Sequence, residues 1–177
     1  SKPDYYIGDF GIDQYGLSLV STDFGDYFLD DINNALVRVS NDGLTNISDT
    51  YSAKNWSNEN ILTGYSGFGG FHYEERLIFM AIVDDLGNVA NVISFSETYK
   101  GFNSRHNFTA AENILFVDGF LWTFKGIPYV HDRYNCNYYD VQYAPSVTVY
   151  FNKGIDIKKS YIAVSTVSNR KWGCPEI

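Results

Sequence analysis

The stretch Ile114-Leu115-Phe116-Val117, Asp118-Gly119, Phe120-Leu121-Trp122-Thr123-Phe124 constrains the fold more than any other. Two apolar runs are joined by Asp-Gly, and a two-residue primed turn needs positive φ at both central positions, which Asp-Gly accepts readily. The pair therefore reads as an antiparallel hairpin with Val117 opposite Phe120 and Leu115 opposite Trp122. Those side chains share a face with Phe124. That face is continuously apolar, so Trp122 is expected in the core, where truncation to Ala costs about 3–5 kcal/mol. A second hairpin is expected from Leu77 to Val83, a loop at Asp84 to Asn88, and Val89 to Phe95. Ser146 to Phe151 and Tyr161 to Val167 supply later strands, and Tyr5 to Phe10 and Ile12 to Val20 are further candidates.

One segment departs from this period of two. Phe28, Ile32, Ala35 and Val39 recur at helical spacing with Leu29 and Leu36 beside them, which predicts an amphipathic helix over about residues 26–40. Asp23 or Asp26 caps its start, and Asn41-Asp42-Gly43 stops it. The rival is a strand at Leu36 to Val39 turning at Asp42-Gly43. On the helical reading Ile32 is a core residue, and Ile32→Asp would bury an unpaired charge. The expected class is α+β, mostly β, with an antiparallel sheet curved around that single helix. Residues 41–75 carry few periodic signals, and Gly64 to Glu75 reads as a Gly-aromatic loop. The 177 residues suit one domain, 1–177, and the opening Ser-Lys-Pro-Asp suggests that it is excised from a longer chain.

Charge narrows the partners. Residues 1–99 carry 4 Lys/Arg against 15 Asp/Glu, or −11, and residues 100–177 carry 9 against 6, or +3; together these give the net −8. An acidic domain repels the phosphate backbone, so no nucleic-acid partner is expected. The longest apolar run, Leu77 to Val83, is seven residues, which argues against membrane insertion by a spanning helix. Cys136 and Cys174 leave pairing open. The sequons Asn46-Ile47-Ser48, Asn55-Trp56-Ser57 and Asn107-Phe108-Thr109 are no more than chance supplies in a chain rich in Asn, Ser and Thr.

No nucleophile elbow, phosphate loop, zinc-protease helix or calcium loop is present. His72, His106 and His131 are scattered, and no metal or cofactor is expected. The acidic pairs Asp30-Asp31, Glu74-Glu75 and Asp84-Asp85 read as solvated turns or helix faces before glycosidase carboxylates. The chain is not expected to be an enzyme. What stands out is 15 Tyr and an aromatic share of 18%. Phenols combine apolar contact with a polar tip, which suits recognition. From His131 to Asp140 aromatics alternate with amides and charges on an expected loop. Sugars expose apolar C–H faces rimmed with hydroxyls, and this mixture matches both. Arg133 would be the fixed donor, Tyr134 and Tyr138 the stacking surfaces, and Asn137 a partner for hydroxyls. His131, and Trp56 in the irregular segment, complete the candidate glycan-binding set. The alternative is a polar loop held by Tyr hydroxyls.

The run Leu121-Trp122-Thr123-Phe124-Lys125-Gly126 resembles a Trp-Thr-Phe-x-Gly strand near the end of the rotavirus spike head, the trypsin-released part that attaches to cell-surface glycans. The resemblance covers six residues. Common rotavirus heads are galectin-like sandwiches that a helix at 26–40 does not suit, so the chain is more similar to a divergent, group B-like head. The resemblance implies a lectin-like attachment domain on the outer capsid at the virion surface, acting in host cell entry. Its ligands would be N-acetyllactosamine-type, blood-group or sialylated glycans, with the remainder of its own spike protein as a second partner. It carries over no site residue. The competing expectation is a non-catalytic protein-interaction or structural module of a viral or bacterial surface protein.

Overall fold

The computed structural model describes residues 9–13, 15–108, 111–131 and 137–142. By its internal contacts the chain divides into Ser1–Tyr143 and Ala144–Ile177, and every described residue belongs to the first unit. The expected single domain over 1–177, the strands at 146–151 and 161–167, and both cysteines thus extend beyond the described residues. The described chain is α+β and mostly β, with antiparallel sheets and two short helices.

Residues 26–40 do not form a helix. They form β2 (Gly25–Asp30) and β3 (Ala35–Ser40), which pair Phe28 with Val37 and Leu29 with Leu36. The apolar stripe is real, but a hairpin assembles it. Phe28, Ala35 and Val37 meet on one face with Val39 beside them, while Leu29 and Leu36 meet on the other. Ile32 sits in the connecting turn and is 69% exposed. The turn is made by Asp30, whose Oδ1 accepts from the amides of Ile32 at 3.0 Å and Asn33 at 2.8 Å, with Asn34 in the left-handed region at φ 54°. An Asx turn of this kind competes with helix in the same residues, and the cross-strand pairs decide the contest. β1 (Val20–Thr22) and β4 (Gly43–Asn46) complete a sheet of order β1-β2-β3-β4.

Two short helices follow, α1 (Ile47–Thr50), capped by the Asn46 side chain accepting from the Asp49 amide, and α2 (Lys54–Asn60). The central sheet has the order β5 (Ser66–His72), β6 (Leu77–Val83), β7 (Val89–Ser96), β8 (Gly101–His106). The expected hairpin at 77–95 is therefore present, whereas the expected Gly-aromatic loop is strand β5. A third sheet contains β9 (Asn113–Val117), β10 (Phe120–Lys125) and β11 (Ile127–Val130) in the order β11-β10-β9. β12 (Asn137–Tyr138) and β13 (Val141–Gln142) form a minimal hairpin.

The central sheet is covered on both faces. Ile78, Met80, Ile82, Ile93 and Phe95 meet Tyr27, Leu29 and Leu36 of the first sheet, Ile47 of α1 and Ile61 at the end of α2. Leu77, Phe79, Ala81 and Val92 meet Ile114 and Leu121 of the third sheet and Phe108. That is why β6 reads as an unbroken apolar run: both of its faces are core. β5 allows the layers to close. A Cβ on Gly67 would lie 2.3 Å from Leu29 Cδ1 and 2.6 Å from the Ala81 carbonyl oxygen. One on Gly69 would lie 2.5 Å from Val20 Cγ2, and one on Gly70, facing the other way, 2.8 Å from the Ile114 oxygen.

The Asp118-Gly119 hairpin has the expected register, Val117 to Phe120 and Leu115 to Trp122, with φ of 50° and 75° at the turn. Its expected core face is inverted. Ile114, Leu121 and Thr123 are buried, whereas Leu115 is 43% and Val117 51% exposed. Trp122 is half-buried, its indole Nε1 enclosed without a hydrogen-bond partner. Both faces of this hairpin carry apolar residues, so alternation alone does not choose between them. The smaller set fits against the crowded central sheet.

A buried ionic cluster ties the first sheet to the turn after β7. Glu97, 4% exposed, accepts from the Tyr27 hydroxyl, from Arg38 Nη1 at 3.3 Å and from Lys100. Burial pushes the Glu97 carboxyl up, but hydrogen bonds from Lys100 and Tyr27 and the charges of Lys100 and Arg38 outweigh it and hold it below the usual range. Burial, then the Glu97 contact, drives the Tyr27 phenol far above its ordinary value.

Gly67→Ala is expected to cost at least about 1–3 kcal/mol by denaturant unfolding, because the new methyl meets backbone that cannot yield. Ile32→Asp, by contrast, is expected to change stability by no more than about 0.5 kcal/mol, as an exposed turn substitution does.

Candidate functional site

Among the described residues β8 is an edge strand of the central sheet, and its register against β7 slips. Ser94 pairs with Ser104 but Phe95 pairs with Phe102, leaving Asn103 as an extra residue. In a regular strand, residues 102 and 105 would point to opposite faces. The bulge turns both toward the first sheet, where Phe102 packs near Phe95, their ring centroids 5.4 Å apart, and Arg105 lies over the Trp56 ring, 5.7 Å from its centroid. Trp56 comes from α2, so a helix and a bulged edge strand form opposite walls of a groove.

The groove has a volume of about 520 Å³. Ile93, Phe102, Tyr51 and Trp56 give it apolar and aromatic walls, and Ser52, Asn103, Ser104 and Arg105 a polar rim. Arg105 is held in place. Its Nη2 donates to Asn91 Oδ1, Asn91 Nδ2 donates to Asn60 Oδ1 at 3.0 Å, and Asn60 Nδ2 donates to the Trp56 carbonyl at 2.7 Å. This relay runs from β8 through β7 to α2 and returns to the residue beneath the guanidinium. Arg105 therefore offers its remaining N–H groups from a position already fixed, which lowers the entropy lost on binding. Trp56 Nε1 is buried without a partner.

The other expected site residues lie elsewhere. His131 is half-buried on the third-sheet side of the central sheet, with its Nε2 2.6 Å from the Thr123 hydroxyl. Thr123 also meets the Tyr139 hydroxyl at 2.8 Å, and the His131 ring packs on Phe108 at 5.0 Å. Its ring nitrogen is thus engaged inward. Asn137 and Tyr138 pair with Gln142 and Val141 through their backbones, and their side chains lie outside the described residues, as do Arg133 and Tyr134 altogether. Of the expected set, Trp56 is the residue that the described structure places in a groove, and on a helix rather than in an irregular segment. Arg105, Asn91 and Phe102 were not expected, since nothing in Gly-Phe-Asn-Ser-Arg-His announces a bulge.

A second aromatic file runs between the central and third sheets. His106 stacks on Phe108 with centroids 5.3 Å apart and planes within 4°, touches Phe79, and has its Nε2 3.0 Å from Ser94 Oγ. Burial holds its imidazole below the ordinary value. Among the described residues, no three His, Cys, Asp or Glu side chains gather where they could hold a metal ion, and no helix is long and apolar enough to cross a membrane. Comparison with known proteins returned no matching family model and no matching curated sequence.

Two acid steps in stability are expected. The fold favours neutral His106, so its contribution is full above the unfolded pKa of about 6.5 and is lost as pH falls from there to the folded value. The fold favours ionised Glu97, so that contribution is lost further down, as pH falls below the carboxylate range through its depressed folded pKa. Unfolding curves across pH should show both steps, and His106→Gln should remove the upper one alone.

Proposed function

We propose that this chain is a glycan-binding adhesion domain whose site is the groove between α2 and β8. The observation that carries the reading is the fixed Arg105 guanidinium beside the aromatic walls of Tyr51, Trp56 and Phe102. Saccharides need apolar surface for their C–H faces and oriented donors and acceptors for their hydroxyls, and this groove supplies both. Asn103 projects at the bulge with an amide that both donates and accepts. With the resemblance of Leu121 to Gly126, the reading extends to a spike head presented on a virion surface, attaching to host-cell glycans of the N-acetyllactosamine, blood-group or sialylated kinds. An open groove contacts few sugar atoms, so affinity per domain falls in the roughly millimolar to micromolar range. Display in many copies would raise avidity by about 10² to 10⁴.

A glycan array on the isolated chain, followed by titration of the best hits, tests this. Asn103→Ala is a surface change that should leave melting unchanged, and Arg105→Ala, which gives up the Asn91 contact, should keep the fold. Arg105→Ala should weaken binding about ten- to a hundredfold, the usual cost of a hydrogen bond to a charged group. An array blank for all sugars, or binding indifferent to both variants, would overturn the reading in favour of a protein-interaction module.

A further inference from the structure

Three segments meet at the tip of the β2–β3 hairpin, and buried or half-buried carboxylates knit them. Asp30 Oδ2 accepts from the Gly11 amide at 2.9 Å. Asp13 accepts from the Gly16 amide at 2.6 Å and, through its other oxygen, from the Gly67 amide at 2.9 Å. Asp31 accepts from the Gly64 amide at 2.8 Å, and the Asn34 side chain donates to the Ile61 carbonyl. Polar contacts therefore fix the backbone at Gly11, Asp13 and Gly16, the hairpin turn and the 61–67 segment.

Within this knot Ile12, Tyr15, Leu17, Ile32 and Leu62 face solvent, each between 41% and 69% exposed. Each lies within two residues of one of those anchored groups, whose contacts bring the three segments together at the hairpin tip. Single exposed apolar residues are ordinary, but a group of five on a rigid base is not. The core does not use them, and the carboxylates already hold the loops.

We propose that this apolar end is a docking surface for a protein partner presenting apolar side chains flanked by Lys or Arg. Charge selects that occupant. No Lys or Arg occurs from residue 3 to residue 37. Asp9, whose carbonyl accepts from Asn33 Nδ2 at 2.8 Å, is exposed at the rim, and Asp31 is half-buried there. A second copy would bring like carboxylates together, which opposes self-association, whereas a basic rim is complementary. The surface shares no lining residue with the groove of Arg105, so the two readings are tested by different variants.

The test titrates the isotope-labelled full chain with a Lys/Leu amphipathic helical peptide and with a Glu/Leu peptide of the same pattern, following backbone amides by NMR. The Lys/Leu peptide should shift residues 12, 15–17, 32 and 62, and added salt should weaken it. The Leu17→Ser, Ile32→Ser double variant should keep its melting temperature and bind about tenfold more weakly. Several outcomes would overturn the proposal: no binding, equal binding of the Glu/Leu peptide, or shifts confined to the Arg105 groove. So would concentration-dependent self-association through the same residues, or equal shifts with neutral phosphatidylcholine vesicles, which would make the surface lipid-directed.

Discussion

The structure depends on how closely three layers approach across strand β5. Gly67 and Gly69 turn one bare face to Leu29 and Val20 of the first sheet, and Gly70 turns the other to Ile114 of the third. Side chains at Gly67 and Gly69 would press on Leu29 and Val20 of the first sheet and on the Ala81 and Phe79 oxygens of neighbouring β6, and one at Gly70 on the Ile114 oxygen of the third sheet. Close approach lets β6 contribute both faces to core, with Met80 and Ile82 on one side and Phe79 and Ala81 on the other. A short strand buried on both faces removes more apolar area from water per residue than one exposed on a side.

The polar interior follows from the same closeness. Three of the 15 acids in the first 99 residues, Asp13, Asp30 and Glu97, are buried. Asp13 and Asp30 are nearly fully buried and satisfy backbone amides of loops that must cross between layers. Glu97 meets Tyr27, Arg38 and Lys100 where the first sheet reaches the end of β7. Buried charges are tolerated when every oxygen has a partner, and here their partners belong to different elements. These carboxylates therefore specify which segments meet, in addition to what they contribute to stability.

Around this frame, the groove and the apolar end lie where regular pairing stops. The groove exists because β8 carries an extra residue, and the apolar end exists because a knot of Asx contacts replaces packing. Both place side chains on fixed backbone without enlisting them in the core. The His131, Thr123 and Tyr139 network shows the opposite case: residue types suited to sugars, used instead to join sheet to loop.

The sequence by itself determined the mostly β class, the hairpins at 77–96 and 113–125 and the register of the latter, because Asp-Gly turns and apolar runs act locally. It also singled out Trp56, though not the helix that carries it. Only tertiary structure decided the rest. The stripe Phe28, Ala35 and Val39 fits a helix or one face of a hairpin equally well, and the pairing of Leu29 with Leu36 over the central sheet selects the hairpin. Trp122 and Leu121 both look like core, and the crowding above Gly70 decides which face turns in. Ser-Gly-Phe-Gly-Gly reads as loop until neighbours arrive to need its missing side chains. Arg105 gained its position from a bulge, and a bulge is set by the strands on either side of it, which no local run of residues encodes.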